Sequence, residues 1–296
     1  MAELYCKGCG ALLQQENKTL PGYVSENINL HDETKPVLCQ RCFRLRHYSD
    51  AITYSLSNDE YATVINRIKN ENALIVKVVD IFDYSGSFVP AIKRLTGNED
   101  VILVGNKMDL LPKNVKDEKI ITWLKQMLAM EGFIVLDSIL ISAKYGKNFD
   151  QLMTMIEKYK GNRNVYIVGS INVGKSRIVN QILKRYLGYP TDVVTVSQTP
   201  GTTIGMIGFP LLDGTMIFDT PGVINKHQYT HYLTKASYKI TVPKKEIKPL
   251  VFQLLEGQTL FFGGLARLDV INGETGDRVN LVTYFANTVN IHRTKT

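Results

Sequence analysis

Gly169-Ser170-Ile171-Asn172-Val173-Gly174-Lys175-Ser176 has the spacing G-x-x-x-x-G-K-[ST]. An apolar run, Val165-Tyr166-Ile167-Val168, precedes it and reads as a buried strand. Ile178, Val179, Ile182, Leu183, Tyr186 and Leu187 follow at helical spacing. Strand, glycine loop and helix in that order is the context in which this spacing wraps a phosphate. The glycines let backbone N–H groups converge on phosphate oxygens, and the helix N-terminus adds the positive end of its dipole. In such a loop Gly169, Ser170, Ile171, Asn172, Val173 and Gly174 form the cradle. Lys175 reaches the β- and γ-phosphates, and the Ser176 hydroxyl sits on Mg²⁺.

Two loops upstream specify a base. The apolar run at 101–104 leads into Gly105-Asn106-Lys107-Met108-Asp109, and the run at 139–141 leads into Ser142-Ala143-Lys144. In this pair the Asp109 carboxylate accepts from the N1–H and 2-amino group of guanine. The Ala143 N–H donates to O6, and the Lys107 stem lies along the ring. Adenine has no 2-amino group and presents an acceptor at N1, so it leaves the carboxylate unpaired. Sites built on such hydrogen bonds reject the analogue by about 10⁴ or more. N-K-x-D alone is a weak signal, equally compatible with an ordinary surface loop; the phosphate loop beyond it makes it specific.

Downstream come Thr199-Pro200-Gly201-Thr202-Thr203 and Asp219-Thr220-Pro221-Gly222. A strand at 215–218 delivers Asp219 to Mg²⁺ through water. Thr203, favoured over Thr202, completes the metal shell, and the Gly222 N–H senses the γ-phosphate. Helices are expected at 57–70, 89–95, 117–130 and 150–159, with a first strand at 73–79 that ends in Asp80-Ile81-Phe82-Asp83-Tyr84-Ser85-Gly86-Ser87. Short apolar strands alternating with helices mean an α/β fold with a mostly parallel, doubly wound sheet. Ligands of such sheets bind beyond the carboxyl ends of the strands, where these motifs lie.

All four cysteines are near the start: Cys6-x2-Cys9 and Cys39-x2-Cys42. Two C-x-x-C knuckles with no spare cysteine point to a structural Zn²⁺ held by four thiolates. His31 and His47 are competing ligands, but four cysteines close the shell. Disulfides or a redox pair are the alternatives; a reducing compartment disfavours the first, and the second needs no duplicate. Arg41-Cys42-Phe43-Arg44-Leu45-Arg46-His47-Tyr48 interleaves basic and aromatic residues, as RNA contacts do, or else closes the zinc site as a solvated helix.

The chain has 296 residues, 44% hydrophobic and 21% charged, with a net charge of +7. No apolar run approaches a membrane span and the first residues match no targeting peptide, so a cytoplasmic protein is expected. Residues 226–296 carry 10 Lys and Arg against 5 Asp and Glu, on a nearly neutral remainder. A basic tail suggests a polyanion partner, or only a lysine-rich surface. From Pro249 the pattern becomes one of hairpins, with strands at 250–255, 259–262, 265–271, 279–286 and 289–291, implying a small antiparallel sheet. Phe261, Phe262, Tyr284 and Phe285 suit RNA, although a core is the commoner use. Three domains are expected: a zinc element at 1–50, a nucleotide domain at 51–225 and a basic β domain at 226–296.

The motifs resemble those of translation-factor-like GTPases, whose usual order is phosphate loop, Thr, D-x-x-G, N-K-x-D, S-A-K. Here N-K-M-D and S-A-K come first, as in the circularly permuted GTPases. With the leading C-K-G-C-G and C-Q-R-C, the chain is similar to the YqeH group. Arg177 departs from the group, which has a small hydroxyl residue there. The resemblance implies a slow GTPase of ribosome biogenesis that binds rRNA and chiefly serves the small subunit, with members that continue beyond the position of Thr296. A monomer is expected, and the alternatives are an RNA-binding scaffold in which GTP is mainly structural or a GTPase of the large subunit. Asn172 matches the residue that coordinates K⁺ in potassium-activated relatives, implying a catalytic cation acting with Lys175, Thr203 and Gly222. Val223 stands where Ras-like enzymes have a glutamine, and it cannot hydrogen-bond the attacking water. Since the segment after Gly222 runs straight into the tail domain, nucleotide state is expected to set the tail's orientation.

Overall fold

The computed structural model describes residues 4–6, 12–16, 22–25, 37–40, 68, 71–88, 100–188, 207–223, 225, 228–271 and 278–295. The expected helix at 89–95, the 41–48 segment, Cys9, Cys42 and Thr199 to Thr203 lie outside these residues, as does the 57–70 helix except Ile68. The chain divides into two compact units: Met1–Lys107 with Asp117–His227, and Met108–Lys116 with Gln228–Thr296.

In the first unit, β1 (Leu74–Asp80), β2 (Asp100–Asn106), β3 (Val135–Ile141), β4 (Val165–Val168), β5 (Ile207–Pro210) and β6 (Met216–Asp219) form one sheet in the order β3-β2-β1-β4-β6-β5. All neighbours are parallel except β5 and β6. β1 is buried along its whole length, the expected state of a central strand covered on both faces. Among the described residues, α2 (Asp117–Met130) and α3 (Phe149–Lys160) connect parallel strands and α4 (Lys175–Tyr186) follows β4, after α1, a short turn at Tyr84–Ser87. Phe149, Leu152 and Ile156 of α3 and Ile178 and Ile182 of α4 pack on Val76, Val78, Ile102, Val104 and Ile167 of the strands. The antiparallel β5 was not foreseen. Asp213-Gly214 between apolar runs is its hairpin signal, and Gly214 there has φ 85°.

Strand register brings the site loops to one edge. Asp80 pairs with Asn106, and Asn106 with Ile141. Lys77 pairs with Val168, and Ile167 with Asp219. The loops after β1, β2, β3, β4 and β6 therefore leave from neighbouring strand ends.

In the second unit, β7 (Leu250–Leu254) pairs with β10 (Val279–Thr283), and β8 (Gln258–Phe262) pairs with β9 (Ala266–Asp269) and β11 (Ile291–Lys295), all antiparallel. Two small sheets thus replace the single one expected. Leu254, Leu260, Phe262, Val270, Ala286 and Val289 form their core. Phe262 is buried in that core and stacks on the partly buried Phe285 at 4.6 Å, the packing use of these rings; Tyr284 is exposed. The unit also has a helix, α5 (Lys235–Thr241), capped by the Thr234 hydroxyl. The Ile247 N–H donates to Leu110 O at 2.9 Å, which ties the turn after β2 to this unit.

One charged pair is built into the first unit's interior. Lys77 Nζ in β1 lies 3.3 Å from Glu131 Oε2 and 4.0 Å from the centre of the Phe133 ring. The Tyr84 hydroxyl donates to the other oxygen of Glu131. Burial pushes the Lys77 ammonium below its ordinary value, and Glu131 counters this. Breaking such a pair leaves an uncompensated buried charge. Glu131→Gln is expected to lose about 3–5 kcal/mol in urea unfolding, and Lys77→Met in the same chain to recover most of it.

Candidate guanine-nucleotide site

The phosphate loop leaves β4 and enters α4 through two left-handed residues, Asn172 at φ 63° and Gly174 at φ 99°. Asparagine tolerates this region better than most residues, so loop geometry alone gives Asn172 a purpose. Gly174 is required for a second reason. A Cβ there would fall 2.3 Å from Asn106 Nδ2, in the path of the contact that joins the two halves of the site. Lys175 is buried, and its Nζ donates to Ser170 O at 2.8 Å.

The Ser176 hydroxyl donates to Asp219 Oδ2 at 2.7 Å. Asp219 Oδ1 is buried with no hydrogen-bond partner. A hydroxyl beside an unsatisfied buried carboxylate oxygen is a hard-oxygen donor set that fits Mg²⁺. Burial raises the Asp219 carboxyl to about 6 against the opposing pull of Lys175 and Ser176. Burial also lowers the Lys175 ammonium to about 8, while Asp219 works the other way. Without nucleotide, the site holds two like-placed costs: a carboxylate and an ammonium, both out of water.

On the base side, the Asn106 carboxamide works in two directions. Its Nδ2 donates to Val173 O at 2.7 Å, and its Oδ1 accepts from the Ala143 N–H at 3.0 Å. The Ala143 N–H, assigned by sequence to guanine O6, is thus directed at Asn106. Lys107 adopts φ 71°, and its Nζ pairs with Asp80 Oδ2 at 2.5 Å. Asp109 lies on the turn Met108–Leu110. Ser142 is buried and shapes the third loop, its Oγ accepting from the Tyr145 N–H at 3.2 Å. Lys144 lies over the Tyr145 ring at 4.8 Å.

The segment after β6 folds back over the phosphate loop. The Thr220 hydroxyl donates to Ile167 O at 2.7 Å. Val223 N–H donates to Gly169 O at 3.2 Å, and Val223 O accepts from the Ile171 N–H at 3.0 Å. Gly222 between them has room for no side chain: a Cβ would lie 2.9 Å from Ile171 Cα and 3.0 Å from Lys175 Nζ.

A protein-family profile described as "50S ribosome-binding GTPase" matches residues 164–257. YqeH of Bacillus subtilis (strain 168) is 44% identical over 295 residues, covering all of this chain and 79% of that protein. The chain belongs to the YqeH family of circularly permuted GTPases. NO-associated protein 1, chloroplastic/mitochondrial, of Arabidopsis thaliana is 31% identical over 306 residues, covering 90% of this chain and 54% of that protein. The chain therefore spans about half the length of this plant relative. The solved GNP-bound YlqF from T. maritima is 19% identical with a TM-score of 0.37, covering 56% of this chain and 59% of that one.

The YqeH-type motif order and the sheet order agree physically. Moving the chain termini leaves every strand beside its proper neighbour, because the sheet does not depend on which loop is cut. Of the leading cysteines, Cys6 and Cys39 are buried, and the Cys39 N–H donates to Cys6 Sγ at 3.2 Å. Sequence reasoning missed two participants: Asp80, which holds Lys107, and Gln181, whose Nε2 donates to Ala143 O at 3.3 Å. The sequence marks Asp80 only as the end of the first strand, and no spacing rule links it to Lys107.

Two outcomes follow from these contacts. Asn106→Ala removes both ties and is expected to weaken guanine-nucleotide binding about ten-fold or more in a fluorescence titration. The second concerns pH. Below about 6 Asp219 takes up a proton, and above about 8 Lys175 loses one. The raised carboxyl makes stability fall as pH rises toward 6, and the lowered ammonium makes it rise again above 8. Thermal unfolding of the nucleotide-free protein, compared with Lys175→Met/Asp219→Asn, is expected to show the largest deficit between these two values.

Proposed function

We propose that this chain is a slow GTPase of ribosome biogenesis, acting chiefly in assembly of the small subunit and coupling nucleotide state to rRNA binding. The observation that carries the nucleotide reading is the Asn106 carboxamide, which joins the guanine-reading loop to the phosphate loop. In the reaction, a water oxygen bonds to the γ-phosphorus as the bond to the β–γ bridging oxygen breaks, yielding GDP and phosphate. Ser176, Thr203 and Asp219 would hold Mg²⁺, which when bound neutralises charge on the phosphate oxygens. Lys175 orients the β- and γ-phosphates, and the Gly222 N–H meets the γ-phosphate. With Val223 unable to orient water, the intrinsic rate is low. Asn172 is assigned to K⁺, a cation that offsets charge developing between the phosphates.

Cys6, Cys9, Cys39 and Cys42 are assigned to a structural Zn²⁺. An N–H to sulfur hydrogen bond between buried cysteines from the two knuckles supports this, since it stabilises a thiolate. The zinc element and the tail unit would contact rRNA. In the tail, Phe261 carries the Arg267 guanidinium over its ring at 5.6 Å, and Tyr284 is exposed. Among the described residues, no helix is long and apolar enough to cross a membrane.

A second reading places the protein on the large subunit, because the matching family profile is described as 50S ribosome-binding. Cosedimentation with separated subunits in the GDP and GTP-analogue states decides between them. The first reading expects nucleotide-dependent binding to the small subunit and faster turnover there; preferential binding to the large subunit supports the second. The cation role has its own test. Asn172→Gly keeps the left-handed loop residue but removes the side-chain oxygen, so turnover is expected to lose its preference for K⁺ over Na⁺. An unchanged preference leaves Asn172 a loop residue only.

A further inference from the structure

The segment leaving the γ-phosphate-sensing glycine is pinned at Val223 by its two backbone bonds to the phosphate loop, and again at Asn225. Asn225 is only 9% exposed, and its Nδ2 faces three backbone carbonyls: Phe88 O at 2.9 Å, Ser85 O at 3.2 Å and Gly86 O at 3.3 Å. These carbonyls lie at the end of the α1 turn, where carbonyls run short of intrahelical donors; Ser85 O also accepts from the Phe88 N–H at 3.3 Å. Asn225 therefore caps that turn from 137 residues away in sequence.

The turn is itself a fixed platform. Asp83 Oδ1 accepts from the Gly86 N–H at 3.0 Å. The Ser87 hydroxyl donates to Asp83 O at 2.8 Å and accepts from the Asp80 N–H at 2.9 Å. Asp80 holds Lys107 of the base-reading loop. On its upstream side, the same arc is held by Asp219 in β6 and by Thr220 on Ile167 O. Only four residues separate Thr220 from Asn225. Gly222, whose missing Cβ would lie 3.0 Å from Lys175 Nζ, sits in the middle of an arc fixed at both ends.

We propose that Asn225 is a positioning residue for γ-phosphate recognition: it fixes the downstream end of the arc so that the Gly222 N–H is pre-set toward the phosphate. This rests on the GTPase reading above. An arc already ordered loses less conformational freedom when it engages the γ-phosphate. GDP, held by the base loops and the phosphate loop, gains nothing from that ordering. Asn225 thereby governs discrimination between GTP and GDP.

The test is a pair of titrations of the full chain with fluorescent GDP and a non-hydrolysable GTP analogue. Asn225→Ala and Asn225→Asp both remove the amide donor, the second at nearly constant shape. Each is expected to weaken the analogue roughly 5- to 10-fold with GDP affinity unchanged. Asn225→Gln keeps a donor and is expected to recover part of the discrimination, and it carries the test if the alanine variant does not fold. Amide exchange at Val223 is expected to accelerate in Asn225→Ala while β4 and β6 keep their protection. Equal weakening of both nucleotides, no change in either, or loss of protection across the whole sheet would overturn the proposal. Failure of the unsubstituted chain to bind any guanine nucleotide would instead remove the GTPase reading on which it rests.

Discussion

The site depends on one carboxamide. Asn106 accepts from the third loop with its oxygen and donates to the phosphate loop with its nitrogen, at 3.0 and 2.7 Å. Gln181 of α4 adds a second tie between the same sides of the site, from its Nε2 to Ala143 O at 3.3 Å. The amide is almost wholly buried, so each bond lost leaves a desolvated polar group behind. Gly174 exists in the form it does partly to leave space for this side chain. Circular permutation changes the order in which these loops are synthesised, but it leaves the bridge untouched.

The same edge of the sheet concentrates charge in a buried setting that disfavours it. Asp219 and Lys175 are both shifted toward their neutral forms by burial. Nucleotide and metal would supply what each lacks: anionic oxygens for the ammonium and a cation for the carboxylate. Binding energy and folding stability are therefore linked at this site, since the ligand relieves a cost that the folded chain carries alone. The Lys77–Glu131 pair, by contrast, is complete within the chain and belongs to the interior of the sheet.

Much of this was legible in sequence because strands buried on both faces leave near-continuous apolar runs. The run at Leu74–Asp80 and the helix at Asp117–Met130 could be read within about a residue. What sequence hid depends on side chains meeting across long separations. Nothing local distinguishes Asn225 from any other turn asparagine, and its partners are more than a hundred residues upstream. Whether Phe262 and Phe285 serve a core or RNA stayed open in sequence because composition does not say which way a ring packs. The tail's division into two small sheets was hidden for the same reason, as pairing partners are set by packing.

The motifs in permuted order are proposed to assemble one site that reads guanine and phosphate together. Calorimetric titration of the full chain with GDP and ADP in the presence of Mg²⁺ tests it most directly. The expected result is tight GDP binding, with ADP weaker by about 10⁴ or more. Comparable affinity for both nucleotides, or heat from neither, would contradict the account.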